Sequence, residues 1–440
     1  MLDLEDLQHF LVSRPHALAA RYEFVTFRSA KGGQAWLNGL LDKVGTAATV
    51  KKASELDTRW VTVAFTWNGL RAMGVEEGAL NTFPEEFREG MAARAEILGD
   101  TDHNHPSHWV DGLASDDLHA ILILFARDVA QRDRSTQEYE QYLKACDGVE
   151  RLSSLNLEAL PPVDIPHEHF GYRDRLSHPC VEGSDEVPTP GSGPALKPGE
   201  FFLGYPDEKG DAPPLPRPEI LTRNGSYLAF RRMQQHVGAF REFLAEHGKT
   251  PEGQELLAAK IMGRWRSGAP LVLAPQKDDP ELGADPKRNN DFNYKAADPH
   301  GYAAPLGSHI RRMNPRDTAH NMNRRRMIRR GGTYGPQLPD GAPEDGVERG
   351  IAAFIGCASL VRQFEFAQNV WTNDPKFHEL ENERDPIMGT QDGTFDLTIP
   401  KRPVRRVIKG IPSFCTIRGG AYFLLPGMRA LRFLASGAQS

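Results

Sequence analysis

PLGSHIRRMNPRDTAHNMNRRRMIRRGGTYG, residues 305–335, sets His309 just ahead of eight arginines: Arg311, Arg312, Arg316, Arg324, Arg325, Arg326, Arg329 and Arg330. Asp317 is the one acid among them, and a second histidine, His320, stands in their midst. A guanidinium stays charged in almost any site and forks onto carboxylates and phosphates. The segment therefore suits a multiply anionic partner: a nucleic acid, a phosphate, or a cofactor carrying two carboxylates. A neutral imidazole beside such arginines fits haem in particular, because the iron takes a proximal histidine and the propionates need cations nearby.

The surrounding composition weighs against nucleic acid. The chain has 53 Lys and Arg against 59 Asp and Glu, a net charge of −6, whereas dedicated nucleic-acid binders are usually basic overall. With 440 residues, 39% hydrophobic and 25% charged, it reads as a globular protein long enough for two domains. Cys146, Cys180, Cys357 and Cys415 are far apart and form no CxxC pair, which fits neither a disulfide framework nor a zinc site. The first residues, MLDLEDLQHFLVSRPH, are acidic and show no apolar leader, and no apolar run approaches the ~20 residues of a membrane span. A soluble, cytoplasmic protein in a reducing compartment is expected, with neither membrane nor nucleic acid as partner.

Strand-like runs stand at 22–27 (YEFVTF), 60–65 (WVTVAF), 118–125 (LHAILILF), 351–355 (IAAFI) and 421–425 (AYFLL). Helical spacing follows at 35–44, in TWNGLRAMGV up to Gly74, in a polar run through Leu143, near 255–265, and behind 351–355 through Phe366. Tyr227, Phe230, Met233, Val237, Phe240 and Phe243 predict one further helix over 226–247. Residues 182–218 are rich in Pro and Gly and read as a long wrapping loop. The repeat of an apolar strand and helix at 60–74 and 350–366 hints at duplication. Strands and helices without a Gly-rich phosphate loop indicate an α+β fold and not a doubly wound nucleotide fold.

Eight motifs in order then carry a resemblance: FGYRDRLSHP (170–179), KPGEFFLGYPDE (197–208), NGSYLAFRRMQQ (224–235), GRWRSGAPL (263–271), SHIRRMNPRD (308–317), RRMIRRGGTYG (325–335), RQFEFAQNVW (362–371) and RGGAYFLLP (418–426). Together they resemble the dye-decolorising (DyP-type) haem peroxidases of the longer bacterial and fungal-like branch. The resemblance implies an α+β fold of duplicated ferredoxin-like halves with antiparallel sheets and peripheral helices, a dimeric α+β barrel. It suggests an N-terminal unit over 1–185 carrying the distal loop, a connecting region over 186–290, and a haem-binding unit over 291–440. One haem b per chain, hydrogen peroxide, and small or bulky organic reductants are the implied cofactor and partners. Family members often form dimers or larger assemblies, so a homo-oligomer is one expectation.

By the same resemblance His309 is the proximal iron ligand. Asp174 is the distal carboxylate of a GxxDG motif, and Arg329 the distal arginine, with Arg330 as the competing assignment. Arg311 is implied to contact a propionate. A proximal histidine usually donates its second ring N–H to an acceptor; Asp392 and Glu365 are the candidates. Trp371 and Tyr334 are candidates to relay electrons outward. Arg175 stands where the motif has its last glycine, a position suited to positive φ or close backbone approach. That departure keeps open a haem-handling protein of weak peroxidase turnover. His103, His105 and His108 in HNHPSH offer a non-haem metal reading, and His167 and His169 stand just ahead of the distal motif.

Overall fold

Ala19–Phe27 (β1), Val61–Phe65 (β2), Ala120–Ala126 (β3) and Val149–Glu158 (β4) are the strands of the first half of the protein, a computed structural model that describes residues 1–12 and 17–437. Ser226–Gln235 (β5), Ile328–Tyr334 (β6), Gly350–Cys357 (β7) and Cys415–Leu425 (β10) belong to the second half, with a small hairpin, Leu397–Ile399 (β8) and Arg406–Ile408 (β9), between the last two. The eight long strands lie in the order β4-β1-β3-β2-β10-β5-β7-β6, each neighbouring pair antiparallel. Both halves thus share one pattern: fourth strand, first, third, second. The duplication hinted at by the sequence is a repeated topology.

The halves join where Leu424 of β10 faces Phe65 of β2. At the far edges the Thr333 hydroxyl of β6 donates to the Glu158 carbonyl of β4 at 2.5 Å, so the sheet curls into a barrel with few open edges. Its interior is aromatic: Phe24, Phe230, Phe354 and Phe423 are fully buried, and the Phe230 and Phe354 rings lie 4.8 Å apart.

Ala30–Leu40 (α1) and Val129–Ala145 (α2) cover the first half. Ser29 and Asp128 cap them by accepting from the amides of Gly32 and Gln131. Val237–Gly248 (α3), Pro251–Met262 (α4) and the short His309–Met313 (α5) stand over the second half, and Met428–Ser436 (α6) packs on α1. Behind β7 the chain makes two π-helical turns, Leu360–Glu365 and Ala367–Asn373.

Residues 226–235 are a strand, and the expected helix starts only at Val237. The three-residue spacing of Tyr227, Phe230 and Met233 mimics a helix. In the fold β5 is hydrogen-bonded on both sides, to β10 and β7, so its residues alternate between faces. Leu228 and Phe230 point into the barrel, and Tyr227 and Ala229 point out of it. β5 lies inside the 186–290 stretch yet is the first strand of the second half by strand order.

Replacing Phe230 with Ala empties the barrel centre. It is expected to cost about 3–5 kcal/mol, read as a lowered urea midpoint at unchanged m-value.

Candidate active site

Outward-facing residues of the second half line a cavity of about 540 Å³. Alternation on β7 sends Ile351, Ala353 and Ile355 to it, and β5 contributes Met233 and Gln235. Phe364, Ala367 and Trp371 of the π-helical turns, Ile387 and Met388, and His309 and Met313 of α5 form the opposing wall. The volume is in the roughly 300–1,000 Å³ range of ligand and cofactor sites.

His309 is held rigidly. Its Nδ1 is 2.9 and 3.1 Å from the two carboxylate oxygens of Asp385, a fully buried side chain. Asp385 also accepts from the amides of Ile387 (2.9 Å) and Met388 (2.8 Å). Burial pushes its carboxyl up, but His309, the Met388 amide and Arg312 outweigh burial and hold it below the usual carboxylate range. The acceptor is therefore neither Asp392, which is bonded to Thr394, nor Glu365, which binds Arg94 and Tyr422. Asp385 escapes sequence reasoning because 76 residues separate it from His309. Arg312 fixes the base of the same helix by donating to the carbonyls of Trp371, Glu383 and Asp374.

Across the cavity stands the turn of residues 166–178. The Asp174 amide donates to the Pro166 carbonyl at 2.8 Å, and the Asp174 side chain is exposed at the cavity lip. Arg329 donates to the Leu176 carbonyl (2.9 Å) and Arg326 to that of Ser177 (3.2 Å), tying the arginine-rich strand to the Asp174 loop. Register separates the two neighbouring arginines. Arg329 pairs with Ile355, a cavity residue, and Arg330 pairs with Phe354, a barrel residue. Arg330, although it too borders the cavity, donates to the carbonyls of Phe10 (2.9 Å) and Leu11 (2.5 Å). Arg175 has φ +63°, the backbone conformation for which its position in the motif favours glycine, and its side chain is exposed.

Arg311 does not line the cavity. It is buried against Asp298 (3.2 Å) and the Ala304 carbonyl (2.9 Å), with its guanidinium 4.3 Å from the Tyr294 ring centre, so the expected propionate contact is not made by this side chain. Arg264, Arg316 and Arg326 do line it. Among the described residues none of these three is in an ion pair. Burial, then repulsion by Arg316 and Arg329, lowers Arg264 to about 9; burial, Arg329 and Arg316 lower Arg326 to about 10. A pocket that crowds like charges this way is built for an anion. Among the described residues no group of three or more His, Cys, Asp or Glu could hold a bare metal ion. A macrocycle that brings its own nitrogens and needs one histidine and cations for its carboxylates fits this donor set.

A family model for the DyP dimeric alpha+beta barrel domain matches residues 38–155. A dye-decolorizing peroxidase of Mycena epipterygia is 33% identical over 413 residues, covering 86% of this chain and 76% of that protein. The chain belongs to the dye-decolorizing peroxidase family. The fungal dye-decolorizing peroxidase of Auricularia auricula-judae superposes with a TM-score of 0.86 at 25% identity, over 99% of each chain. A dye-decolorizing peroxidase in complex with 2,6-dimethoxyphenol gives 0.86 at 27% identity, over 99% of this chain and 100% of that one. As a dye-decolorizing peroxidase the protein is an enzyme of a haem-dependent family, with the α+β barrel its motifs imply.

Of the other sequence candidates, His167 borders the cavity. His103 bonds Ser413 and His105 bonds Ser107, and among the described residues HNHPSH forms no group that could hold a metal ion. His320 is exposed. Trp371 is buried in the cavity wall, whereas Tyr334 is buried with its hydroxyl on Glu348 at 3.0 Å. No helix among the described residues is long and apolar enough to cross a membrane.

His169 bonds the Tyr334 carbonyl through Nε2 at 2.9 Å. Burial lowers it from 6.5 to about 4, against the pull of that carbonyl; burial and then Arg330 lower His9 from 6.5 to about 3. Both stay neutral in the fold while the unfolded chain protonates them below 6.5. Stability present above that pH is therefore lost as pH falls toward 4, at about 1.4 kcal/mol per pH unit for each histidine. Urea midpoints measured from pH 7 to 4 are expected to fall, with a shallower slope in His169→Asn.

Proposed function

We propose that the cavity holds one haem b and that the protein reduces hydrogen peroxide at the expense of organic reductants such as phenols and dyes. One observation carries the reading: an imidazole locked to a buried carboxylate faces a lip that bears an aspartate and an arginine. Haem supplies the iron at which peroxide binds and splits and the oxidising equivalents that reductants then quench.

His309 uses Nδ1 on Asp385, which leaves Nε2 for the iron. The low-lying Asp385 carboxylate fixes the tautomer and enriches the ligand. Arg264, Arg316 and Arg326, which line the cavity, would be the cations for the two propionates. Asp174 takes the proton from the inner peroxide oxygen and returns it to the outer one, which leaves as water. Arg329 stabilises the negative charge that grows on the departing oxygen. The relative in complex with 2,6-dimethoxyphenol supports a phenolic reductant as one substrate class.

Absorption spectra of haem-loaded protein test these roles. His309→Ala is expected to lose the Soret band of ligated haem. Asp174→Asn is expected to keep the band while its change on adding peroxide slows by about 10²–10⁴-fold, and Arg329→Ala by about 10²–10³-fold. A wild-type band that peroxide merely bleaches, without substrate oxidation, would overturn the catalytic reading and leave a haem-handling protein. Arg316→Ala should weaken haem binding in titrations, whereas Arg311→Ala should lower thermal stability and leave haem affinity within about threefold, since it faces Asp298 and not the cavity.

A further inference from the structure

Glu168 is a half-buried carboxylate with no part in the chemistry above. It lies six residues before Asp174, in the same turn, and lines the same cavity. Its two oxygens are fully engaged. One accepts from the Tyr172 amide at 2.8 Å. The other accepts from the Phe170 amide at 2.9 Å and from the Gln235 side chain at the end of β5. The backbone repeats the lock: the Gly171 amide donates to the Glu168 carbonyl (2.8 Å) and the Glu168 amide to the Tyr172 carbonyl (3.1 Å). Gly171 sits at φ +90°, which a side chain would oppose, and a Cβ there would stand 3.1 Å from Arg266. The outgoing limb of this turn ends in Asp174, whose amide closes on Pro166.

Drawing a carboxylate even half out of water is costly unless hydrogen bonds replace the lost hydration, and here the two amides and the Gln235 side chain supply them. Burial pushes the Glu168 carboxyl up, and the Phe170, Gln235 and Tyr172 bonds and Arg266 pull against it. Without Glu168, the buried turn would leave the Phe170 and Tyr172 amides with no acceptor, and nothing would join its tip to the sheet through Gln235.

From this geometry we infer that Glu168 is the positioning residue of the distal turn: it clamps the 168–172 amides onto β5 and thereby sets where the Asp174 carboxylate stands over the cavity. The inference rests on the reading of Asp174 as the distal proton carrier. Glu168 touches neither peroxide nor cofactor in this role. A shift of about 1 Å in a proton carrier costs about 10²-fold in rate, so losing the clamp and losing Asp174 should give similar kinetics from different causes.

The test uses haem-loaded protein with Glu168→Ala, Glu168→Gln, Gln235→Leu and Asp174→Asn, together with amide hydrogen exchange over 166–176 in loaded and haem-free protein. Glu168→Ala is expected to retain its Soret band, to slow the reaction with hydrogen peroxide by about 10²-fold, and to speed exchange at Phe170 and Tyr172 in both forms. Glu168→Gln, which keeps one carbonyl acceptor, should recover most of both losses, and Gln235→Leu should show a milder version of each. If Glu168→Ala folds poorly, Glu168→Gln and Gln235→Leu carry the comparison alone. Unchanged exchange and unchanged peroxide kinetics in the Glu168 and Gln235 variants, beside a slow Asp174→Asn, would overturn the clamp and leave the role of Asp174 standing. Faster exchange with normal kinetics in all four variants would instead overturn the role of Asp174, and with it the functional meaning of the clamp.

Discussion

Buried guanidinium groups must find oxygen acceptors, and the way this chain meets that demand builds the cavity. Arg312, fully buried, spends its donors on three main-chain carbonyls drawn from the π-helical turns and the segment before Asp385. That one side chain locks the helix bearing His309 to the strip bearing the His309 partner. On the other side the half-buried Arg326 and the exposed Arg329 reach carbonyls of the loop that follows Asp174. Leaving a buried group such as Arg312 without acceptors costs several kcal/mol, so the helix bearing His309 cannot move away from Asp385 without stranding it.

The same economy explains why so dense a basic segment sits in an acidic protein. Most of its arginines are structural ties: Arg311 to Asp298, Arg324 to Asp207, Arg325 to the Arg362 carbonyl, and Arg330 to the chain near Phe10. Arg316 and Arg326, with Arg264 from the neighbouring motif, are tied to loop oxygens too, but they line the cavity and carry no ion pair among the described residues. Arg311 does not meet the cavity although its neighbours in sequence do, because direction from the backbone, and not position in sequence, decides which guanidinium lines it.

Two carboxylates hold His309 and the turn of Asp174 from behind. Asp385 orients His309 from the proximal wall, and Glu168 orders the turn of Asp174 from the distal one. Asp385 is fully buried and Glu168 half-buried; each accepts main-chain amides as well as a side-chain donor, and each comes from a different part of the chain. The π-helical turns add the remaining wall, with Trp371 packed where a regular helix would turn its residues differently.

The sequence by itself determined the family, the α+β class and five of the strands. Those are legible because motifs, alternation and residue type are local properties. It misread 226–235 as helix, since spacing by three looks alike until hydrogen bonds on both edges impose alternation. It could not find Asp385, because a histidine and its acceptor 76 residues away share no local pattern. Only the tertiary structure decided that Arg329 faces Ile355 while Arg330 faces Phe354, for a one-residue step along a strand reverses the face on which a side chain stands.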